Sequence, residues 1–334
     1  MTVKAEKFTP DALKIDCKTE LEKISETLRK CLRQFKKRGI IVALSGGIDS
    51  SVVGAIAVHA LGKERVLGLF MPEKDSSGDT LKLSRLIADH LQIEAVYEDI
   101  TPILNAAGCY SRRDDAIRQV IPEYDDSYKC KIVLPSLTDS EQYRFFSVVV
   151  ESPEGEVKKA RLSADSYLNI LAASNFKQRS RKMMEYYYAD KNNYIVAGTP
   201  NRQEYDQGFF VKGGDGLADI KPIAHLYKLQ VYQMAAYLGI PDEIQQRGPT
   251  TDTYSMEQSQ EEFYFSVPYD KMDICLYAKN NNIEIDRVAQ ATDLTPQQVA
   301  SVYKDIEAKR TATAYLQSPP IMIEKVTEVN TKNF

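Results

Sequence analysis

The chain has 334 residues, 43% hydrophobic and 27% charged, with a net charge of −4, so it can bury a substantial core as one large domain or two modest ones. No apolar run approaches the roughly 18–20 residues of a membrane span, no signal-peptide pattern opens the chain, and the acidic balance gives no general attraction to nucleic acid or anionic membranes. Five cysteines never form a C-x-x-C pair and three histidines lie far apart, which argues against a disulfide framework, a zinc site or an imidazole cage. Small-molecule chemistry and a cytoplasmic location are expected.

In chain order, Leu21–Lys37 carries apolar residues at helical spacing and stops at Arg38-Gly39. Ile40–Leu44 is a short, wholly apolar run, the pattern of a buried parallel strand. A glycine loop follows, then a helix over Val52–Leu61, a strand over Arg65–Met71, a helix over Thr80–Leu91 and a strand over Ile93–Tyr97. This alternation predicts an α/β fold with a doubly wound, mostly parallel sheet and helices on both faces. Residues 105–163 are charge-rich and lack a sustained period; they are expected to form an insertion. Within them Tyr143–Val150 and Glu156–Leu162 flank Ser152-Pro153-Glu154-Gly155 as a β-hairpin. Helix is expected again over Ser166–Asp190, strand over Tyr194–Gly198, helix over Leu226–Leu238, and a helical C-terminal extension over 269–318. The whole reads as one domain.

The loop Ser45-Gly46-Gly47-Ile48-Asp49-Ser50-Ser51 lies between an apolar strand and a helix. Backbone amides there can converge on an oxyanion, glycines allow close approach, and the helix N-terminus adds positive potential. Ser45, Ser50 and Ser51 offer hydroxyl donors. Asp49 would repel a phosphate unless a cation lay between, and Mg²⁺ shared by carboxylates and phosphate oxygens resolves that conflict. The loop is neither a Walker A sequence nor a dinucleotide fingerprint. S-G-G-x-D-S is the signature of ATP pyrophosphatases, which cleave ATP between the α and β phosphates. A second loop, Gly198-Thr199-Pro200-Asn201-Arg202-Gln203-Glu204, also follows an apolar strand. In a doubly wound sheet both loops emerge at the carboxyl edge, where ligands bind, so Glu204 is a second Mg²⁺ ligand candidate.

Downstream lies Gly208-Phe209-Phe210-Val211-Lys212-Gly213-Gly214-Asp215-Gly216-Leu217-Ala218-Asp219. The order S-G-G-x-D-S, G-T-x-x-x-x-E, G-F-F-x-K-x-G-D-G-x-x-D, L-x-K-x-Q and P-T resembles the NAD synthetase family. Asn175-Phe176-Lys177-Gln178-Arg179-Ser180-Arg181 is similar to the family's N-x-K-x-R-x-R helix. The resemblance implies ATP held by Ser45, Gly46, Gly47, Asp49, Ser50 and Ser51, with Mg²⁺ on Asp49 and Glu204. It implies Thr199 near the adenylylated phosphate, and Lys228 and Thr250 at the triphosphate or departing pyrophosphate. Asp49, Lys228 and Thr199 become the catalytic candidates. Arg179, Lys212, Asp215 and Asp219 would face the dinucleotide, deamido-NAD, in a homodimer. The implied reaction adenylylates the nicotinate carboxylate, releases pyrophosphate and amidates the adenylate with ammonia, giving NAD and AMP. No glutaminase segment precedes residue 40, so ammonia is expected free or from a separate partner. The long 105–163 stretch leaves open a relative that amidates another small carboxylate, or a nucleotide sensor without turnover.

Overall fold

The computed structural model describes residues 8–134, 146–251, 253–265, 267–324 and 326. A first helix, α1 (Cys17–Phe35), starts where the Asp16 carboxylate accepts the Lys18 and Thr19 amides, satisfying donors that a helix start leaves free. There follow β1 (Gly39–Ala43), α2 (Ile48–Leu61), β2 (Val66–Phe70), α3 (Gly78–Leu91), β3 (Glu94–Tyr97), α4 (Thr101–Ala106) and α5 (Cys109–Arg118). After β4 (Lys129–Val133), β5 (Ser147–Glu151) and β6 (Val157–Arg161) come the 29-residue α6 (Ala164–Asn192), β7 (Tyr194–Val196) and α7 (Arg202–Gln207). The chain continues through α8 (Lys228–Tyr237), α9 (Asp242–Gln245), α10 (Tyr269–Asn280), α11 (Ile285–Thr292) and α12 (Pro296–Gln317).

The main sheet is parallel throughout, in the order β3-β2-β1-β7. Alternate residues of β1 explain its two covered faces. Ile40 and Val42 pack with α1, α2 and α8, whereas Ile41 packs with Leu67, Leu69 and residues of α4 to α6. The doubly wound expectation holds. Strand order reverses at β1, between the β2 and β7 sides, so a crevice opens at the carboxyl ends of β1 and β7. Both candidate loops lie there.

Residues 105–163 hold more regular structure than expected. The stretch holds α5, whose inward face carries the ion pair Arg113–Asp114 at 2.8 Å beside Tyr110 and Ile117; those charges broke the apolar period. The expected hairpin exists as β5 and β6, with Gly155 at φ 85° in the turn, but β4 joins it to make a three-stranded antiparallel sheet. Residues 143–145 of the expected hairpin lie outside the described residues. This sheet packs Cys130, Ile132, Val148 and Val150 against Ile117 and Ile170. Four helices also begin earlier than expected, α1 at Cys17, α2 at Ile48, α3 at Gly78 and α6 at Ala164. The C-terminal helices form a separate core around Met272, Cys275, Val299 and Ile306. No described helix is long and apolar enough to cross a membrane.

Candidate active site

The loop after β1 is shaped by Gly46, at φ +69°. A Cβ there would come within 2.8 Å of the Thr80 carbonyl and Leu83, so α3 seats the loop from below. Ser84 Oγ donates to the Leu44 carbonyl at 2.8 Å. Ser51 Oγ donates to the Gly47 carbonyl at 2.8 Å and Ser50 Oγ to the same oxygen at 3.0 Å. These two hydroxyls therefore fasten the first turn of α2. Ser45 is exposed at the rim, where its Oγ accepts the Gly47 amide at 3.4 Å and lies 3.2 Å from Ser50 Oγ.

Asp49, in the first turn of α2, meets residues from two distant elements. Its Oδ1 accepts Asn201 Nδ2 at 3.0 Å, and its Oδ2 is ion-paired with Lys228 Nζ. Asn201 caps α7, and the Glu204 carboxylate returns to the Asn201 amide at 3.0 Å in a reciprocal capping box. Gln260 Nε2 donates to the other Glu204 oxygen at 3.0 Å. Lys228, 1% exposed, begins α8. Burial alone would lower its pKa, but the Asp49 and Glu204 carboxylates outweigh burial and hold it above the ordinary lysine range. Burial, then the Asp49 charge, push the Glu204 carboxyl up to about 7 against the pull of Lys228. Two carboxylates thus share one ammonium, and the surplus negative charge is what a divalent cation would neutralise.

Asp49, Glu204, Gln260 and Lys228 line one end of a cavity of about 680 Å³. Ser45, Gly47, Asp49, Ser50, Thr199, Glu204, Lys228 and Thr250 border it, as do Arg179, Lys212 and Asp215 from the other end. There, Arg179 Nε donates to the Lys212 carbonyl at 3.3 Å and Lys212 Nζ to the Tyr315 carbonyl of α12 at 2.7 Å. Asp215 accepts the Val211 amide at 2.7 Å, and burial raises its pKa. Leu134 and Phe146, which flank the three-stranded sheet, also reach the wall.

The sequence matches the family described as NAD synthase over residues 20–121 and 130–313. The chain belongs to the NAD synthase family. It is 54% identical over 322 residues to a relative from Rhizobium meliloti named NH(3)-dependent NAD(+) synthetase, covering 96% of each chain. A relative of the same name from Mesorhizobium japonicum is 55% identical over 317 residues, covering 95% of this chain and 99% of that one. Among solved structures, the NMN synthetase from Francisella tularensis superposes with a TM-score of 0.65 at 21% identity, covering 92% and 99% of the two chains; at that identity the likeness concerns the fold.

For this NAD synthase family member, three residues expected at the site do not line the cavity. Asp219 does not border the cavity: its carboxylate accepts the Val196 amide at 2.7 Å and the Tyr186 hydroxyl at 3.3 Å, fastening the end of β7. Gly46 and Ser51 lie beneath the loop, Gly46 packed on α3 and Ser51 turned to Gly47. In the other direction, Asn201, Gln260 and Asp273 were not singled out. Asp273, fully buried on α10, accepts the Leu229 amide at 2.6 Å and Gln203 Nε2 at 2.7 Å. Burial pushes its carboxyl up to about 7 despite those donors. The only hint in the sequence was an aspartate in the apolar stretch Met272-Asp273-Ile274.

Proposed function

We infer that this chain is an ATP-dependent, ammonia-dependent NAD synthetase. It adenylylates the nicotinate carboxylate of deamido-NAD, releases pyrophosphate, and amidates the acyl adenylate with ammonia to give NAD and AMP. The observation that carries this reading is the meeting of the Ser45–Ser51 loop, Glu204 and Lys228 at one end of a single cavity, in a chain 54% identical to a relative of that name over 96% of both.

Each residue has a role that its position supports. Ser45 and the Gly47 amide receive the ATP phosphates. Lys228 offers its ammonium to charge that grows on the phosphates as the α–β bond breaks, and being buried and already oriented it needs little reorganisation. Thr199 and Thr250 border the same phosphates. Asp49 and Glu204 fit Mg²⁺: two carboxylates beside one ammonium leave negative charge to neutralise, and phosphate oxygens would complete the coordination. Bound there, Mg²⁺ would supply Lewis-acid stabilisation of the phosphates. Arg179 and Lys212 hold the acid substrate, and Asp215 orders the loop that carries Lys212. Holding carboxylate and α-phosphorus in one enclosed cavity supplies the orientation that a weak nucleophile needs.

The chain acts as one domain, with 105–163 as an insertion, 269–318 as a helical extension, and a homodimer as the working unit. Purified protein given ATP, Mg²⁺, ammonia and deamido-NAD should form NAD, AMP and pyrophosphate in equal amounts. AMP formation only with a different acid, or nucleotide binding without turnover, would overturn the assignment.

A further inference from the structure

We propose that Asp273 is a positioning residue for the Asp49–Lys228 pair, acting through Gln203 and the amide of Leu229. It rests on the assignment of Asp49 and Lys228 as catalytic groups. The polar contacts form a closed circuit. Asn201 Nδ2 donates to Asp49 at 3.0 Å, and the Gln203 amide donates to Asn201 Oδ1 at 2.9 Å. Gln203 Nε2 then donates to Asp273 Oδ1 at 2.7 Å, and Asp273 Oδ2 accepts the amide of Leu229 at 2.6 Å. Leu229 follows Lys228, whose ammonium returns to Asp49. The circuit thus joins the loop after β7, α10 and the first turn of α8 to the first turn of α2.

Four of its members are sealed from solvent, Asn201 at 1% exposed, Gln203 2%, Lys228 1% and Asp273 0%, while Asp49 and Leu229 are partly exposed. Asn201, Gln203, Leu229 and Asp273 do not border the cavity, whereas Asp49 and Lys228 do. Asp273 therefore acts on any ligand only through its neighbours. A simple helix cap would need one carboxylate oxygen on α8; here the second oxygen is engaged by a different element. Gln203 Nε2 is further aligned by the Tyr269 carbonyl at 2.6 Å. Only a carboxylate accepts at both oxygens in this setting. An asparagine would turn an NH₂ toward one of two donors, displacing either the start of α8 or Gln203 at almost unchanged volume. Short buried bonds to a charged acceptor are the strong ones, so the displacement would reach the Lys228 ammonium.

The test compares Asp273→Asn, Gln203→Ala and their double variant with the unaltered enzyme, with Lys228→Ala run alongside. Initial rates at varied ATP and deamido-NAD give kcat and both KM values, and thermal unfolding reports the fold. The circuit predicts that Asp273→Asn lowers kcat about tenfold or more while both KM values stay within about threefold, because the lost interaction matters mainly in the transition state. The double variant should be no more than about twofold worse than the poorer single one, since both break the same circuit. An inactive Lys228→Ala together with a fully active Asp273→Asn would overturn the circuit alone. So would losses that multiply in the double variant, or kcat losses that merely follow a falling unfolding temperature. A fully active Lys228→Ala would overturn both the circuit and the catalytic assignment beneath it.

Discussion

The two ends of the cavity handle positive charge in opposite ways. At the Ser45 end, the Lys228 ammonium is buried and matched by two carboxylates, Asp49 and Glu204. At the other end, Arg179 and Lys212 are exposed and donate to main-chain carbonyls; among the described residues neither meets a carboxylate. The difference is instructive. A site for a metal-bound triphosphate must carry negative charge before the ligand arrives, so its cation is held in reserve. A site for a substrate that brings its own carboxylate and phosphates needs cations left free to answer it. Apart from both ends lies a buried ion cluster that does not line the cavity: Lys177 of α6 donates to Glu73 at 2.8 Å, Asp75 at 2.6 Å and the Thr253 carbonyl at 2.7 Å.

That cluster offers the largest effect. Lys177→Met would leave the Glu73 and Asp75 carboxylates buried with one cation fewer, and should lower unfolding free energy by about 3–5 kcal/mol, read by urea denaturation. A loss below about 1 kcal/mol would mean that this cluster is not what holds α6 to the Glu73–Asp75 segment. Next comes Asp49→Asn, for which pyrophosphate release should fall at least about 100-fold with the circular-dichroism spectrum unchanged. Retained activity would remove the charge-in-reserve reading of the Ser45 end.

Arg179→Ala should raise KM for deamido-NAD about tenfold and leave KM for ATP within about twofold. An equal rise in both would erase the distinction between the ends. The smallest effect concerns pH. Glu204 is pushed up to about 7 in the fold, above its ordinary value near 4.5. The folded state therefore binds its proton more tightly than the unfolded chain does. That stability is fully present below pH ~4.5 and is lost as pH rises to ~7. Without ligands the unfolding temperature should fall across that window, and Glu204→Gln should flatten the slope. Asp273, Glu185 and Asp215 are raised in the same direction, so an unchanged slope would assign it to them.

The Ser45–Ser51 loop was legible because its signals are local: an apolar strand, two glycines and a helix start lie within a dozen residues. The second loop was legible for the same reason, and the order of strands and helices brought both to one edge. What stayed hidden depends on distant partners. On α5 the buried face carries Asp114 and Arg113, and the partner of Arg113, Asp75, lies 38 positions earlier, so periodicity could not mark it. β4 is held by pairing with β5 and reads only weakly as a strand alone. Asp219 sits in a motif, yet its carboxylate serves β7, a choice that spacing does not reveal. Asn201 and Gln260 are ordinary polar residues until the fold sets them against Asp49 and Glu204.

The separation between the partners of the site also has a consequence for how the protein comes to life. Asn201 and Lys228 lie 152 and 179 positions beyond Asp49, and β7 must pair with β1 across a similar interval. The strands β1 to β3 can assemble from neighbouring sequence, but loop closure over such a distance is slow. During synthesis the phosphate loop therefore emerges, and its strand can find a sheet, well before the residues that complete it exist. Catalytic competence should be among the last properties a nascent or refolding chain acquires, appearing only when the segment carrying α8 and α10 docks against a sheet already formed.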